Sequence, residues 1–178
     1  FRVSVKHYVG DGGTTDGKDQ GNTEVSEAVL RDVHAAGYVP AIASGAQAVM
    51  ASYNSFHGEK LHGHKALLTD VLKERMNFGG FIVGDWNGHG QVRGCINTDC
   101  AATFNAGLDM AMAPDSWKGL YESTLAHVQT GTIKMERLDD AVRRILRAKF
   151  RMNLFDAPKP SQRGLGGKFE LLGAPEHR

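Results

Sequence analysis

The sequence lacks a long apolar run: none approaches the ~18 residues that a membrane-spanning helix needs, so no membrane partner is expected. It also lacks an excess of one charge, because 21 Lys and Arg stand against 20 Asp and Glu. The resulting formal net charge of +1 gives no electrostatic reason to expect nucleic acid as a partner. The chain has neither a signal-like start nor an initiating methionine, so we expect a processed, trimmed or partial polypeptide.

Several catalytic motifs are missing as well. There is no G-x-x-x-x-G-K-[ST] phosphate loop, no G-x-S-x-G serine-hydrolase elbow and no H-E-x-x-H zinc helix. We therefore expect neither a metal nor a cofactor. The glycines at 10, 12 and 13 are followed by more polar loop rather than a helix, which disfavours a phosphate site there. An unrelated α/β protein that binds a phosphorylated ligand at this loop is the least favoured hypothesis.

Cysteine is scarce, with only Cys95 and Cys100 in the segment GCINTDCA. Two free thiols and a local disulfide both fit this spacing. A disulfide would stabilise the loop by roughly 2 kcal/mol and would indicate an oxidising compartment. A zinc site is disfavoured because no second cysteine pair follows and His89 is a single nearby ligand.

What the sequence does contain is an alternation of short β-branched runs with longer amphipathic stretches. This pattern predicts an α/β fold, in which parallel strands alternate with crossover helices in an open sheet or part of a (β/α)8 barrel. Asn22 or Thr23 is expected to cap the first helix, and Arg143, Arg144 and Arg147 are expected to be solvated. The predicted strands are 1–9, 48–53, 81–85 and 108–112, and the predicted helices are 23–36, 40–44, 64–76, 99–106, 118–129 and 136–151.

Polar residues follow each predicted strand, where the carboxyl ends of parallel strands form the active site of such folds. They are Lys6 and His7, Tyr53 and Asn54, Asp85 and Trp86, and the segment 112–115. This coincidence predicts one functional site shared by four strand ends.

Asp85 is the strongest catalytic candidate, because a carboxylate that ends an apolar strand must be solvated, paired or used. It could act as a nucleophile or general base, with Trp86 stacking on a sugar. The alternative is a loop-capping aspartate that accepts from the amide of Asn87 or Gly88.

Lys6 and His7 are adjacent at a strand end, so in a regular strand their side chains point to opposite faces. A bulge or a cis peptide bond would let both reach one ligand. Either could donate to hydroxyl oxygens, and Lys6 could keep a nearby carboxylate ionised. The alternative is a surface lysine beside a buried histidine, and Met50, Met110 and Met112 are expected to pack in the core.

Five segments together resemble glycoside hydrolase family 3, with the bacterial exo-acting β-glucosidases and glucan glucohydrolases as the most similar subgroup. They are KHYVGDGGT, VMASYNSFHG, LLTDVLKERMNFGGFIVGDW, NAGLDMAMAPDSW and RLDDAVRRILRAKF. The resemblance implies that Asp85 in the G-D-W string is the catalytic nucleophile. It also implies that Lys6, His7, Met50, Tyr53 and Trp86 bind β-linked glucosides or oligosaccharides.

The same resemblance implies a retaining mechanism and an incomplete site. Residues 1–155 would be the second half of a (β/α)8 TIM-type barrel, and residues 156–178 a linker toward an absent second domain. The acid/base glutamate would come from that domain, so the isolated chain would be inactive. The family's aminosugar branch uses an Asp-x-His dyad, and this chain has Asp16-Gly17-Lys18 at that place, which favours the glucosidase branch.

Two alternatives stay open within the resemblance. The chain could be a non-catalytic sugar-binding half-barrel, or it could carry another family activity such as that of a β-xylosidase. The expected location is the periplasm or the cell exterior.

Overall fold

A computed structural model describes residues 3–178, and its central feature is a four-stranded parallel sheet. The strands are β1 (Ser4–Tyr8), β3 (Ala48–Ala51), β6 (Phe81–Trp86) and β7 (Met110–Met112), in that spatial order. All four predicted strands are therefore confirmed in place and direction, although Phe1 and Arg2 lie outside the described residues. The α/β fold class is confirmed.

The two faces of this sheet differ in burial. Val49, Ala51 and Ile82 are completely buried and pack against Leu68 and Leu72 of the helical layer. On the opposite face, Met50, Val83 and Met110 are in register across three strands and are only half-buried. The methionines predicted to lie in the core therefore line an open face of the sheet. Asp85 alternates onto the same face, because it follows Val83 by two residues.

A second, three-stranded sheet lies beside the first and consists of β2 (Asn22–Thr23), β4 (Ser55–Phe56) and β5 (Glu59–Lys60). The prediction that Asn22 or Thr23 caps the first helix is thus wrong. The buried Thr23 hydroxyl donates to the carbonyl of Gly10 and accepts from Asn54, so this residue is held in the sheet. Ser26 caps the helix instead, accepting from the amide of Val29.

The helices cover the buried face of the main sheet and follow the predicted order. They include two segments with π-type hydrogen bonding, one of which continues α1. The helical elements are α1 (Glu27–Val29) with its continuation Leu30–His34, α2 (Tyr38–Ala43), the π segment Ala66–Arg75, α3 (Ala101–Ala106), α4 (Trp117–Gln129) and α5 (Met135–Arg151). After α5 the chain forms short turns that are almost entirely exposed.

A buried ion cluster joins α5 to the amino-terminal ends of β6 and β7. Lys73 donates to Asp109 at 2.7 Å, and both side chains are almost fully buried. Arg137 also pairs with Asp109, whose second oxygen accepts from the amide of Ile82 at 2.8 Å. Burial lowers the pKa of Lys73 against the opposing effect of Asp109. This cluster anchors the sheet edge to the last helix.

The prediction that the arginines of α5 are solvated is wrong for Arg144. Its guanidinium donates to the carbonyls of Phe78 and Gly80 and pairs with Asp140 at 2.9 Å. Arg147 donates to the carbonyl of Gly79. These two side chains tie α5 to the turn before β6, where the unpaired carbonyls of the chain reversal need donors.

Cys95 and Cys100 form a disulfide, which resolves the choice between free thiols and a bridge. It closes the loop that follows β6, where Ile96 and Asp99 also exchange backbone hydrogen bonds. Within residues 3–178, the structure contains no helix of the length and apolarity required to cross a bilayer.

Candidate active site

Asp85 lies at the carboxyl end of β6 with its carboxylate partly open to solvent, at 19% side-chain exposure. Its Oδ1 accepts from the amide of Trp86 at 2.7 Å. The loop-capping alternative predicts bonds to Asn87 or Gly88, but the Asn87 amide donates to the carbonyl of Met112 instead. The second carboxylate oxygen thus remains available on the open face of the sheet.

His7 faces that second oxygen from β1. Its Nε2 lies 3.6 Å from Oδ2 of Asp85, and its Nδ1 lies 3.0 Å from Oδ2 of Asp11. The imidazole therefore stands between two carboxylates. The peptide bond that joins Lys6 to His7 is cis, one of the two departures from a regular strand considered for this pair.

Lys6, by contrast, is exposed, and among the described residues it forms no hydrogen bond or ion pair. The structure thus brings one member of the predicted basic pair, His7, against Asp85. Lys6 directly precedes His7 in β1, with its side chain exposed.

Met50 in β3 and Tyr53, which follows that strand, extend the site. The pKa of Tyr53 is raised by its partial burial and by the negative charges of Asp85 and Asp19. Met50 pairs in register with Val83, on the face to which Asp85 belongs. Both side chains are half-buried, so they can contact a ligand that lies on this face.

Trp86 is 56% exposed and follows Asp85 directly, which leaves an indole surface free at the edge of the site. Two loops meet around this edge: Gln91 donates to the side chain of Gln20 at 2.8 Å. Lys60 joins the same region, since its ammonium donates to the carbonyls of Gln20 and Tyr53, each at 3.0 Å. The arrangement forms a polar rim around the strand ends.

Sequence reasoning misses His62, whose Nε2 accepts from the amide of Asp85 at 2.8 Å. In the sequence, its spacing to other histidines only excludes a zinc helix. The two residues are 23 positions apart in different elements, so no periodic signal connects them. In the sequence, Asp11 belongs to a glycine-rich loop and has no evident link to the site. In the structure, its carboxylate forms a hydrogen bond with the His7 ring.

The site offers no ready metal ligands: in the part of the chain that the structure describes, no three His, Cys, Asp or Glu side chains converge on a cation position. Instead, the His7 imidazole lies between the carboxylates of Asp11 and Asp85, and the Trp86 indole is exposed directly after Asp85. This set can bind a polyhydroxylated ligand and present a carboxylate to one of its carbons.

Comparison with known proteins identifies the family to which this arrangement belongs. Residues 2–148 match the glycosyl hydrolase family 3 N-terminal domain. The chain belongs to glycosyl hydrolase family 3. The resemblance to this family that the sequence segments indicate is thus confirmed.

Relatives within family 3 are similar in both sequence and structure. A periplasmic beta-glucosidase of Salmonella typhimurium is 32% identical over 164 residues, which cover 88% of this chain and 21% of the relative. The crystal structure of an exo-1,3/1,4-beta-glucanase from a Pseudoalteromonas species matches with a TM-score of 0.95 and 50% identity, over 98% of this chain and 22% of that one. The beta-glucosidase of Listeria innocua in complex with glucose matches at 0.78 and 27% identity, over 88% and 22%.

These family 3 proteins are much longer than the chain described here. The chain spans about a fifth of the length of the curated relatives it matches. The high structural similarity over nearly the whole chain agrees with the predicted fold class, a parallel α/β segment of a barrel-type domain.

Proposed function

We propose that this chain is part of a retaining, exo-acting β-glucosidase that releases glucose from the non-reducing end of β-glucans or cello-oligosaccharides, with Asp85 as nucleophile. The observation that carries the proposal is the placement of Asp85. One oxygen is fixed by the Trp86 amide, while the other faces His7 and the open side of the sheet. The family and the glucose complex of the Listeria innocua relative support the substrate class.

In this reaction, Asp85 attacks the anomeric carbon as the bond to the leaving oxygen breaks, and a glycosyl ester forms on the carboxylate. A general acid protonates the leaving oxygen, and water then cleaves the ester to give β-glucose. Lys6 and His7 would donate to sugar hydroxyls. Tyr53 and Met50 would line the sugar beside the nucleophile, and Trp86 would stack on the next sugar.

The general acid is proposed to come from outside this chain. Retaining enzymes place the acid about 5–5.5 Å from the nucleophile. Within residues 3–178, no glutamate forms a hydrogen bond or ion pair with Asp85, His7 or Tyr53. We propose that a second domain, which the linker 156–178 would approach, supplies this glutamate.

The other half of the barrel is also proposed to lie outside this chain, so that residues 1–155 form its second half. The open face with Met50, Val83 and Met110 supports this, because an apolar sheet face needs a covering layer. A groove between β7, α4 and α5 is also apolar and is lined by Trp117, Tyr121, Leu125 and Met135, each at least 46% exposed. The isolated chain is therefore expected to be inactive.

A periplasmic or extracellular location is proposed as well. The Cys95–Cys100 disulfide supports it, because such bonds persist in oxidising compartments. The name of the Salmonella typhimurium relative, a periplasmic beta-glucosidase, agrees with this.

The test replaces the nucleophile in the complete enzyme. Asp85→Gly should lower turnover of an aryl β-glucoside by at least ~10³-fold, and azide should restore cleavage while forming α-glucosyl azide. Asp16→Asn, at an exposed position away from these contacts, is the matched control and should retain activity. Undiminished turnover of Asp85→Gly, or α-glucose as the first product of the native enzyme, would contradict the proposal.

Parallel assays separate the alternatives. Faster turnover of an aryl β-xyloside than of the glucoside would favour a β-xylosidase. Turnover by the purified 178-residue chain alone would contradict the proposal that the acid lies elsewhere.

A further inference from the structure

We propose that His62 is a positioning residue that holds Asp85 in its attacking orientation by accepting a hydrogen bond from the Asp85 amide. The inference rests on the proposed role of Asp85 as nucleophile. Nε2 of His62 lies 2.8 Å from that amide nitrogen, and the imidazole is 1% exposed. The histidine is therefore a buried support for the backbone of Asp85.

The ring of His62 is confined on several sides. A Cβ added to Gly88 would overlap the imidazole, and one added to Gly84 would lie 3.3 Å away. The Tyr53 ring is 5.9 Å from it, centroid to centroid. The backbone is fixed too, because Thr103 donates to the carbonyl of His62 at 2.6 Å. With so little room, the ring holds one orientation.

The Asp85 amide needs this acceptor because the sheet does not provide one. The register between β6 and β7 shifts between Val83 and Trp86, so the regular ladder is interrupted where Asp85 stands. A side chain must then satisfy the amide, and the His62 imidazole does so only while Nε2 carries no proton.

The surroundings keep the imidazole neutral. Burial lowers the pKa of His62 to about 4, and this outweighs the opposing effect of Asp85. The other groups that face the ring are His89, Lys60 and the Ser52 backbone. His62 can therefore serve as an acceptor across the neutral and mildly acidic range.

The support matters for the proposed chemistry because attack depends on alignment. Oδ1 of Asp85 is held by the Trp86 amide, so the backbone orientation at these two residues decides where Oδ2 points. A displacement of about 1 Å at a reacting atom can cost ~10²-fold in rate. Losing the His62 acceptor would free the peptide unit that sets this direction.

The test compares three variants of the complete enzyme. His62→Leu removes the acceptor at similar volume, and His62→Gln keeps an acceptor oxygen near the position of Nε2. Gln47→Leu is the matched control, because Gln47 is also a buried polar residue and loses its hydrogen bonds to the carbonyls of Gly45 and Ala46, before β3 begins and away from the Asp85 amide. Active sites are counted by covalent labelling with a 2-deoxy-2-fluoro-β-glucoside, and kcat, KM and the labelling rate are expressed per active site.

We expect His62→Leu to lower kcat and the labelling rate per site by ~10²-fold, with KM changed by less than about threefold. His62→Gln should stay within about tenfold of the native enzyme. Gln47→Leu should reduce the number of active sites but not the rate of each. Native rates per site in His62→Leu, or a loss in His62→Gln as large as in His62→Leu, would overturn the inference.

Gly88→Ala keeps the inference testable if His62→Leu does not fold, because its new Cβ would push on the imidazole without removing it. It should slow labelling per site, whereas Gly79→Ala, where a Cβ meets nothing within 4 Å, should not. A native rate per site in Gly88→Ala would count against the inference. If the 2-deoxy-2-fluoro-β-glucoside does not label Asp85 in the native enzyme, the proposed function itself is refuted.

Discussion

Nε2 of His7 lies 3.6 Å from Oδ2 of Asp85, although their strands, β1 and β6, are separated by β3 in the sheet. Side chains from non-adjacent strands meet in this way at the mouth of a curved parallel sheet. The contact therefore shows that the ends of β1 and β6 contribute to the same site. It also gives Asp11 a role, because this carboxylate holds the other nitrogen of the His7 ring.

Replacing Asp11 should weaken the hold on His7. In the complete enzyme, Asp11→Asn should lower kcat/KM for an aryl β-glucoside by about three- to tenfold, because an exposed charge-assisted hydrogen bond becomes a neutral one. Asp16→Asn serves as the control in the same loop. Equal kcat/KM values for the two variants would show that Asp11 does not support the site.

The buried ion cluster should dominate the stability of this part of the protein. Asp109→Asn leaves Lys73 and Arg137 without their shared carboxylate and should lower the free energy of unfolding by about 3–5 kcal/mol. Urea denaturation measures the change. Asp70→Asn breaks the exposed pair with Lys65 and should cost less than about 1 kcal/mol. A similar small effect in both variants would contradict the assignment of Asp109 as the anchor.

Acid should destabilise the fold partly through His62. Its pKa is about 4 in the folded state and 6.5 ordinarily, so the unfolded chain binds the proton more readily between these values. This contribution to stability is complete above pH 6.5 and falls by about 1.4 kcal/mol per pH unit as the pH drops toward 4. Melting temperatures of His62→Gln should therefore decline less over this interval than those of the native enzyme. If the melting temperatures of both proteins fall equally between pH 6.5 and 4, the prediction is contradicted.

The disulfide should stabilise the loop after β6. Replacing both Cys95 and Cys100 by serine should lower the free energy of unfolding by about 2 kcal/mol, the entropy of closing so short a ring. Addition of a reductant should destabilise the native protein by a similar amount and leave the double variant unchanged. A reductant effect on the double variant would show that another process is responsible.

The sequence predicts best those features that depend on a single strand or helix. Strand positions follow from β-branched runs, and the placement of Asp85 follows from the end of such a run, so both can be predicted. The bond from Asp85 to Trp86 is equally local. The cap of the first helix escapes sequence reasoning because Thr23 and Asn54, 31 residues apart, bond each other in a small second sheet. No local pattern carries that information.

Contacts between distant elements escape prediction for the same reason. Arg144 lies on the polar face of α5 and has the pattern of a solvated residue, yet it bonds carbonyls more than 60 residues away. His62 becomes part of the site only because Gly84 and Gly88 leave space for its ring. The roles proposed for Lys6, Met50, Tyr53 and Trp86 stay predictions until a sugar is seen against them.

Mechanism-based labelling identifies the nucleophile directly. The complete enzyme is inactivated with a 2-deoxy-2-fluoro-β-glucoside, digested, and mapped by mass spectrometry for the carboxylate that carries the sugar. We expect a single glycosyl ester on Asp85. An ester on any other carboxylate would contradict it.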